Sequence, residues 1–405
     1  MQPRSFMACA TLALATAAPP AAADPQQQTG NQYNPKISLI LNTTFADYSN
    51  KSPSDIPGYL LGDGSGLIKS GISLGETELA AEANIDDQVH GWAVLSVAPE
   101  GGVNVEEAFV NTLALPYGFA AKLGRFFSDI GYMNHQHAHA WEFADAPLVY
   151  RSMLGGQLAD DGLQLRWIAP TDLLVELGAE GYRGDAFPSG GADRSGVKAF
   201  TGFLHVGGDF GTSHSWRIGL SHLRADAVSR PTTDGAGFDT LFTGKSDLSI
   251  ADLIWKWAPD GNSSIYNFVG QAEYFFRREH GDVVYDPAGA DVSNPGPIPS
   301  AYRGEQQGYY VQGVYQFMPR WRFGVRYDRL KSDTVLSVTP FGGPLGANPS
   351  YAPQRGSAMV DFSNSEFSRV RVQFNRDRSR PLGAMDNQYL VQFIFSMGSH
   401  PAHQF

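Results

Sequence analysis

The sequence predicts an all-β fold: a transmembrane antiparallel up-and-down β-barrel of about 16 strands, with one connection folded inward as a constriction. Three observations carry this reading. Segments of about ten residues alternate apolar and polar side chains with period two, the pattern of a strand whose two faces meet different surroundings. Tryptophans on the apolar faces sit next to short turns. Short and long connections alternate along the chain.

Composition sets the outer bounds. The chain has 405 residues, 42% hydrophobic, 18% charged and 12% aromatic, with 45 glycines. That excludes disorder, while charge is low and aromatic and glycine content high for an ordinary cytosolic enzyme. No internal apolar run approaches the roughly 20 residues a membrane helix needs. At the N-terminus Arg4 precedes "FMACATLALATAAPPAAA", and Ala21 and Ala23 form a small-x-small cleavage pattern before Asp24. Residues 1–23 therefore read as an export signal, 24–35 as a periplasmic N-terminal segment and 36–405 as the barrel. The only cysteine, Cys9, leaves with the signal. The mature chain then has no disulfide, zinc–cysteine site or thiol nucleophile. A formal net charge of -11 argues against a nucleic-acid partner. The expected address is the bacterial outer membrane, crossed many times.

Individual strands follow from the alternation. In "WRFGVRYDRL", Trp321, Phe323, Val325 and Tyr327 share one face, and Arg322, Gly324, Arg326 and Asp328 the other. In "LQLRW", Leu163, Leu165 and Trp167 oppose Gln164 and Arg166; in "SRVRVQFN", Val370, Val372 and Phe374 oppose Arg369, Arg371, Gln373 and Asn375. "YNFVGQAEYFF" sets Tyr266, Phe268, Ala272, Tyr274 and Phe276 against Asn267, Gln271 and Glu273. A soluble sandwich also alternates, with its polar face outward. Tryptophan placement separates the two. Trp167, Trp216, Trp257 and Trp321 lie beside "APTD", "GTSH", "APDGN" and "MPR", as an interfacial girdle requires and a packed core does not.

Short links also include "DDQ" and "LPYG", whereas long ones cover about 50–70, 128–160, 183–196, 225–246, 278–304, 331–354 and 376–386. Strands pair in order: 37–47 with 72–85, 89–98 with 103–115, 119–127 with 162–168, 173–182 with 197–206, and 215–224 with 247–257. The remainder are 264–277 with 308–317, 321–330 with 355–362, and 367–375 with 387–397. The even total suits a single-chain bacterial barrel and leaves an aqueous lumen. The last strand, "NQYLVQFIF", is followed by a tail ending in Phe405. A terminal aromatic resembles the recognition signal of such barrels, but Pro401 and His403 stand where that signal is apolar, so the strand is expected to end near Met397.

With apolar faces outward, the polar faces line water. Glu76, Glu78 and Glu82, with Glu176 and Glu180, form an acidic set; Arg322, Arg326, Arg369 and Arg371, with Arg166, a basic one. An acidic wall facing a basic wall gives a transverse field suited to polar solutes. The connection 128–160 contains "NHQHAHAWEF". It carries Tyr132, Met133, Trp141, Phe143, Leu148, Val149, Tyr150 and Met153, too apolar a set for a free external loop. Folded inward, it puts His135, His137, His139 and Glu142 at the narrowest part of the pore. In an extended chain alternate residues stand about 7 Å apart on one side, so His135 and His137 are the candidate zinc ligands, with Glu142 or Asp145 completing the shell. No other cofactor is called for. No nucleophile–base arrangement points to an enzyme.

The stretches "ISLGETELAAEANID", "LGRFFSDIGYMNHQHAHAWEFADAPLVYR", "DDGLQLRWIAPTDLLVELGAEGYRGD", "YYVQGVYQFMPRWRFGVRYDRL" and "NSEFSRVRVQFNRDRSRP" resemble proteobacterial outer-membrane proteins related in architecture to phosphate-selective porins, some labelled zinc-regulated TonB-dependent outer-membrane receptor. The resemblance implies an integral outer-membrane barrel with ties to zinc supply. A TonB-dependent transporter needs about 22 strands and a plug, and the segment before the first strand leaves no room for one. The expectation is therefore a porin-like channel through which small polar solutes or ions diffuse. A metal-linked uptake receptor is the alternative. General porins suggest a homotrimer in contact with outer-membrane lipid.

Overall fold

A computed structural model describes residues 34–52, 54–97, 102–191, 196–233, 238–287, 298–337 and 351–398. The expected signal 1–23, most of 24–35, and the tail with Pro401, His403 and Phe405 lie outside the described residues.

The period-two segments form one antiparallel sheet of seventeen strand segments. These are β1 (Lys36–Tyr48), β2 (Gly71–Leu74), β3 (Thr77–Asn84), β4 (Val89–Val97), β5 (Val103–Thr112), β6 (Phe119–Phe127), β7 (Ala159–Ile168), β8 (Leu174–Tyr182) and β9 (Ala199–Phe210), followed by β10 (His214–Thr233), β11 (Phe238–Trp257), β12 (Asn267–Pro287), β13 (Ile298–Met318), β14 (Trp321–Leu336), β15 (Gln354–Ser365), β16 (Ser368–Asp377) and β17 (Asp386–Gly398). Both β2 and β3 pair with β1, on either side of an interruption at Gly75 and Glu76, so they make one span and the seventeen segments make 16. β1 also pairs with β17 from Ser38↔Gly398 to Tyr48↔Gln388, which closes the barrel.

Which face looks outward is settled by exposure. Along β14, Trp321, Phe323, Val325 and Tyr327 are 39–50% exposed, while Arg326 and Asp328 are 3% and 0% exposed. The same inversion runs round the sheet: Leu163, Leu165, Val372 and Tyr389 are open, and Gln164, Arg371 and Gln388 are buried. Apolar outside and charged inside is the arrangement of a barrel set in hydrocarbon. Trp167, Trp216, Trp257 and Trp321 lie at the short-turn ends of β7, β10, β11 and β14, and exposed Trp255 adds to them.

Two of the expected long connections are much shorter than their sequence suggests, and a third is trimmed at its start. Most of 225–246 and 278–304 continues β10 through β13, whose strands reach 20 or 21 residues where only about ten are needed to cross, and 331–336 continues β14. Ser229, Pro231, Gly244 and Gly281 read as turn signals, but pairing persists past them. A register shift between Ala227 and Arg230 absorbs the irregularity. Inward-facing Ala227, Phe242, Val283 and Tyr302 pack with Leu60 of the first long connection, and Arg230 pairs with Glu279 at 3.0 Å. These contacts hold the extended hairpins together.

Candidate functional site

The connection from β6 to β7 is the centre of the interior. Its apolar side chains Ile130, Met133, Trp141, Leu148, Val149 and Met153 are buried in one cluster with Phe126, Leu223, Ile250, Phe275 and Leu330 of the strands. A short helix, α1 (Leu148–Met153), is buried along its whole length. Burying such side chains removes them from water at roughly 1.5–3 kcal/mol each. That gain favours packing against the wall over a free loop.

Polar groups fix where the connection rests. The Ser128 hydroxyl and the Asp129 amide (3.0 Å) donate to Glu180 of β8. The Tyr132 and Met133 amides donate to Glu273 of β12 at 3.1 and 3.2 Å, as does the Tyr150 hydroxyl at 2.9 Å. Gly131, with φ of +66°, lets the chain pass so close to Glu273 that a Cβ would meet its Oε2 at 2.4 Å. Arg371 of β16 donates to the Trp141 carbonyl (2.9 Å), and the Leu148 amide donates to Asp328 of β14 (2.8 Å).

Of the arginines expected to form a basic wall, Arg322, Arg326 and Arg371 are engaged by this same connection. Arg322 bridges Glu142 at 2.7 Å and Asp361 at 2.6 Å. Arg326 and Arg355 each bind Asp145 at 2.7 Å and share Asp328. Arg371 lies 3.6 Å from Asp361, and Arg369 is within electrostatic reach of Arg322, Asp361 and Glu142. The guanidiniums beside Asp145 hold its carboxyl well below the usual carboxylate range despite burial. Glu142 and Asp145 are thus committed to arginines rather than completing a histidine shell. Arg166 pairs with Glu176 (3.3 Å), which also meets His205 (3.0 Å); Glu82 meets Lys36 (3.3 Å) and His90 (3.6 Å).

The acidic side is built differently. On β5 the register slips between Val94 and Leu95 of β4: Val94 faces Glu107 and Leu95 faces Val105, so Glu106 is an inserted residue. The bulge turns two consecutive glutamates inward, 9% and 7% exposed. Across β4, the interruption at Gly75 and Glu76 precedes the buried Glu78. Glu106 and Glu107 escaped the sequence reading. Their signal is the phase change in "VNVEEAFV", where the outward positions pass from Val103 and Val105 to Ala108.

Two of the three histidines meet these carboxylates. His137 Nε2 lies 3.0 Å from Glu107 Oε2, and its Nδ1 lies 3.3 Å from Glu78 Oε2 and 3.4 Å from Glu106 Oε1. Glu107 is held by the Trp92 indole and the Phe127 amide, each at 3.1 Å. His139 Nδ1 contacts Glu78 Oε1 at 2.7 Å, and its ring stacks on His137 with centroids 5.7 Å apart. Burial works against charging His137, but the Glu106, Glu107 and Glu78 carboxylates outweigh it and hold its pKa well above the ordinary imidazole value. His135 is placed apart, edge-on to Tyr132, and burial pushes it down to about 4 against the pull of Asp129. Glu78, Glu106 and His137 each offer a ligand atom, all within 4.8 Å of one another; His135 is not in that group.

Two cavities flank the cluster. One of about 490 Å³ is lined by Glu76, Glu106, Asp145, Arg125 and Arg151 among others. The other, about 290 Å³, is lined by Glu78, Glu82, Glu107, Asp129, Lys122, Arg166 and all three histidines. Phe127 borders both.

No family model matches the chain. The fold is that of the outer-membrane porins. It is similar to the trimer form of in-vitro folded OmpT of Vibrio cholerae, with a TM-score of 0.52, 12% identity and 90% of this chain against 99% of that one. The outer-membrane channel DcaP of Acinetobacter baumannii gives 0.53, 14%, and 90% against 96%. The anion-selective porin from Comamonas acidovorans gives 0.51, 11%, and 90% against 99%. In sequence, a protein of Aquifex aeolicus (strain VF5) described as an uncharacterized protein is 31% identical over 407 residues, covering 92% of this chain and 80% of that protein. The chain belongs to the family of that Aquifex aeolicus protein.

Proposed function

We propose that this chain is a porin-like channel of the bacterial outer membrane, through which small polar solutes or ions diffuse passively. Residues 1–23 would be cleaved on export, 24–35 would remain in the periplasm, and 36–405 would form the barrel. The constriction is the β6–β7 connection, with His135, His137, His139 and Glu142 at its edge. The observation that carries the reading is the inverted sheet, apolar outside and charged inside, with cavities on both sides of the connection. Those cavities run along the acidic side, while Arg322, Arg326, Arg355 and Arg371 are paired with Glu142, Asp145, Asp328 and Asp361. A path lined by more carboxylates than cations favours cations. We also propose a homotrimer in outer-membrane lipid; the similar OmpT structure is of a trimer form.

Planar-bilayer recording of purified, heat-modifiable protein tests this. Stepwise conductance, with a reversal potential displaced toward potassium in a potassium chloride gradient, is expected. Absence of conductance refutes the channel, and a displacement toward chloride refutes the acidic path.

A further inference from the structure

We propose that Glu78, Glu106 and His137 form a binding site for one divalent ion of the zinc class. The inference goes beyond the channel reading and stands independently of it.

Geometry carries it first. A tetrahedral ion with bonds of about 2.0–2.1 Å to nitrogen and oxygen sets its ligands about 3.3–3.4 Å apart. His137 Nδ1 lies 3.3 Å from Glu78 Oε2 and 3.4 Å from Glu106 Oε1. One imidazole with carboxylates suits zinc; calcium and magnesium take oxygen ligands.

The partners of these ligands are the second observation. Glu107 faces His137 Nε2 at 3.0 Å and accepts its N–H, so an ion that displaces the Nδ1 proton finds the ring already oriented with that nitrogen toward Glu78 and Glu106. Such a carboxylate–histidine contact fixes tautomer and ring orientation in metal sites. Glu107 is itself held by Trp92 and Phe127. His139 Nδ1 contacts Glu78 Oε1, and Glu78 Oε2 lies 3.3 Å from His137 Nδ1.

The third observation is Glu106. Its side chain is 7% exposed, and neither buried oxygen is in a hydrogen bond of good geometry; His137 Nδ1 stands 3.4 Å from Oε1. Glu76 lies against Glu106, and its buried Oε2 likewise accepts no hydrogen bond. Three glutamates here share two imidazoles, and buried carboxylates short of donors are costly unless a further cation meets them. A dication at this point compensates Glu106 and Glu78 together and offers Glu76 or water its fourth position. Both cavities adjoin the cluster, which gives an ion a way in.

The test uses the full chain folded in detergent micelles, stripped with chelator and titrated with zinc chloride alone in a calorimeter. X-ray absorption is then recorded on the one-equivalent wild-type sample. Saturable binding of one zinc per chain is expected, with one imidazole and oxygen ligands at about 2.0 Å. Glu106→Gln and His137→Gln should weaken binding more than about 100-fold, and Glu107→Gln about 10–100-fold. His222→Ala, on an exposed position of β10, should leave it unchanged. Absence of one-to-one binding overturns the proposal. So does wild-type affinity in Glu106→Gln, or a spectrum with no imidazole or with two. The spectrum is taken on wild type and decides the matter even where a variant fails to fold. A conducting protein that binds no zinc refutes this site and leaves the channel standing; a zinc-binding protein without conductance does the reverse.

Discussion

Replacing Asp145 by Asn should undock the middle of the β6–β7 connection. Asp145 accepts from Arg326 and Arg355 at 2.7 Å each, from Gln373 at 2.7 Å and from Asn375 at 3.0 Å. Breaking a buried ion pair by removing one partner costs about 3–5 kcal/mol. Two features place this case at the low end. Both guanidiniums keep Asp328, at 3.1 and 3.4 Å, and Asn retains one acceptor oxygen. A loss of about 3 kcal/mol is roughly a hundredfold in the population of the opened connection, at about 1.4 kcal/mol per decade. Amide hydrogen exchange reads that population directly. Protection over residues 140–150 should fall about a hundredfold in Asp145→Asn, with the strands of the far wall unchanged. Protection within about threefold of wild type would show that the Arg326 and Arg355 contacts are incidental and that apolar packing alone seats the connection. The pH dependence has a definite sign. The folded-state pKa of Asp145 is depressed, so its contribution is present above the unfolded value near 3.9 and is lost only as pH falls through the lower folded one. Wild-type docking should therefore be insensitive to Asp145 between about pH 5 and 8.

Two further substitutions probe the wall. Val325→Arg, on the open face of β14 four residues from Trp321, should destabilise the folded barrel in lipid vesicles by about 2–4 kcal/mol in urea titration, whereas a water-facing position would tolerate it. Gly124→Val should lower the heat-modifiable folded fraction sharply. At φ of +132° its Cβ would stand 2.2 Å from the Ala108 carbonyl oxygen, next to the β5 bulge, and wild-type folding yield would show that β5 and β6 are not joined as described.

The strands were legible because lipid and water impose opposite demands on neighbouring side chains, so Phe323 and Arg326 report the wall without any knowledge of the rest. The extended hairpins were not, since Pro231 and Gly281 carry the same local signal whether a turn forms or a bulge and a straight ladder pass through them. The histidines show a different limit. An extended chain would give His135 and His137 one side. Here the segment coils through turns and a tight turn at Ala138–Ala140, which sets His135 apart and brings His137 and His139 to Glu78. Which histidine meets which carboxylate depends on partners about 30 and 60 residues away, at Glu107 and Glu78.

The same long-range pairing decides what the two charged walls do. Read as isolated strands, the arginines of β14 and β16 and the glutamates of β3 and β5 look equivalent, two sets of lumen charge facing each other across water. They differ in what the β6–β7 connection brings to them. To Arg322, Arg326, Arg355 and Arg371 it brings Glu142, Asp145 and the Trp141 carbonyl, acceptors suited to planar guanidiniums. To the glutamates it brings imidazoles, fewer in number than the carboxylates they meet. Arg322, Arg326, Arg355 and Arg371 are therefore spent on holding the connection in place, and the acidic side keeps charge in excess of its protein partners. Those glutamates border both cavities, so a mobile cation can complete what the protein leaves undone there.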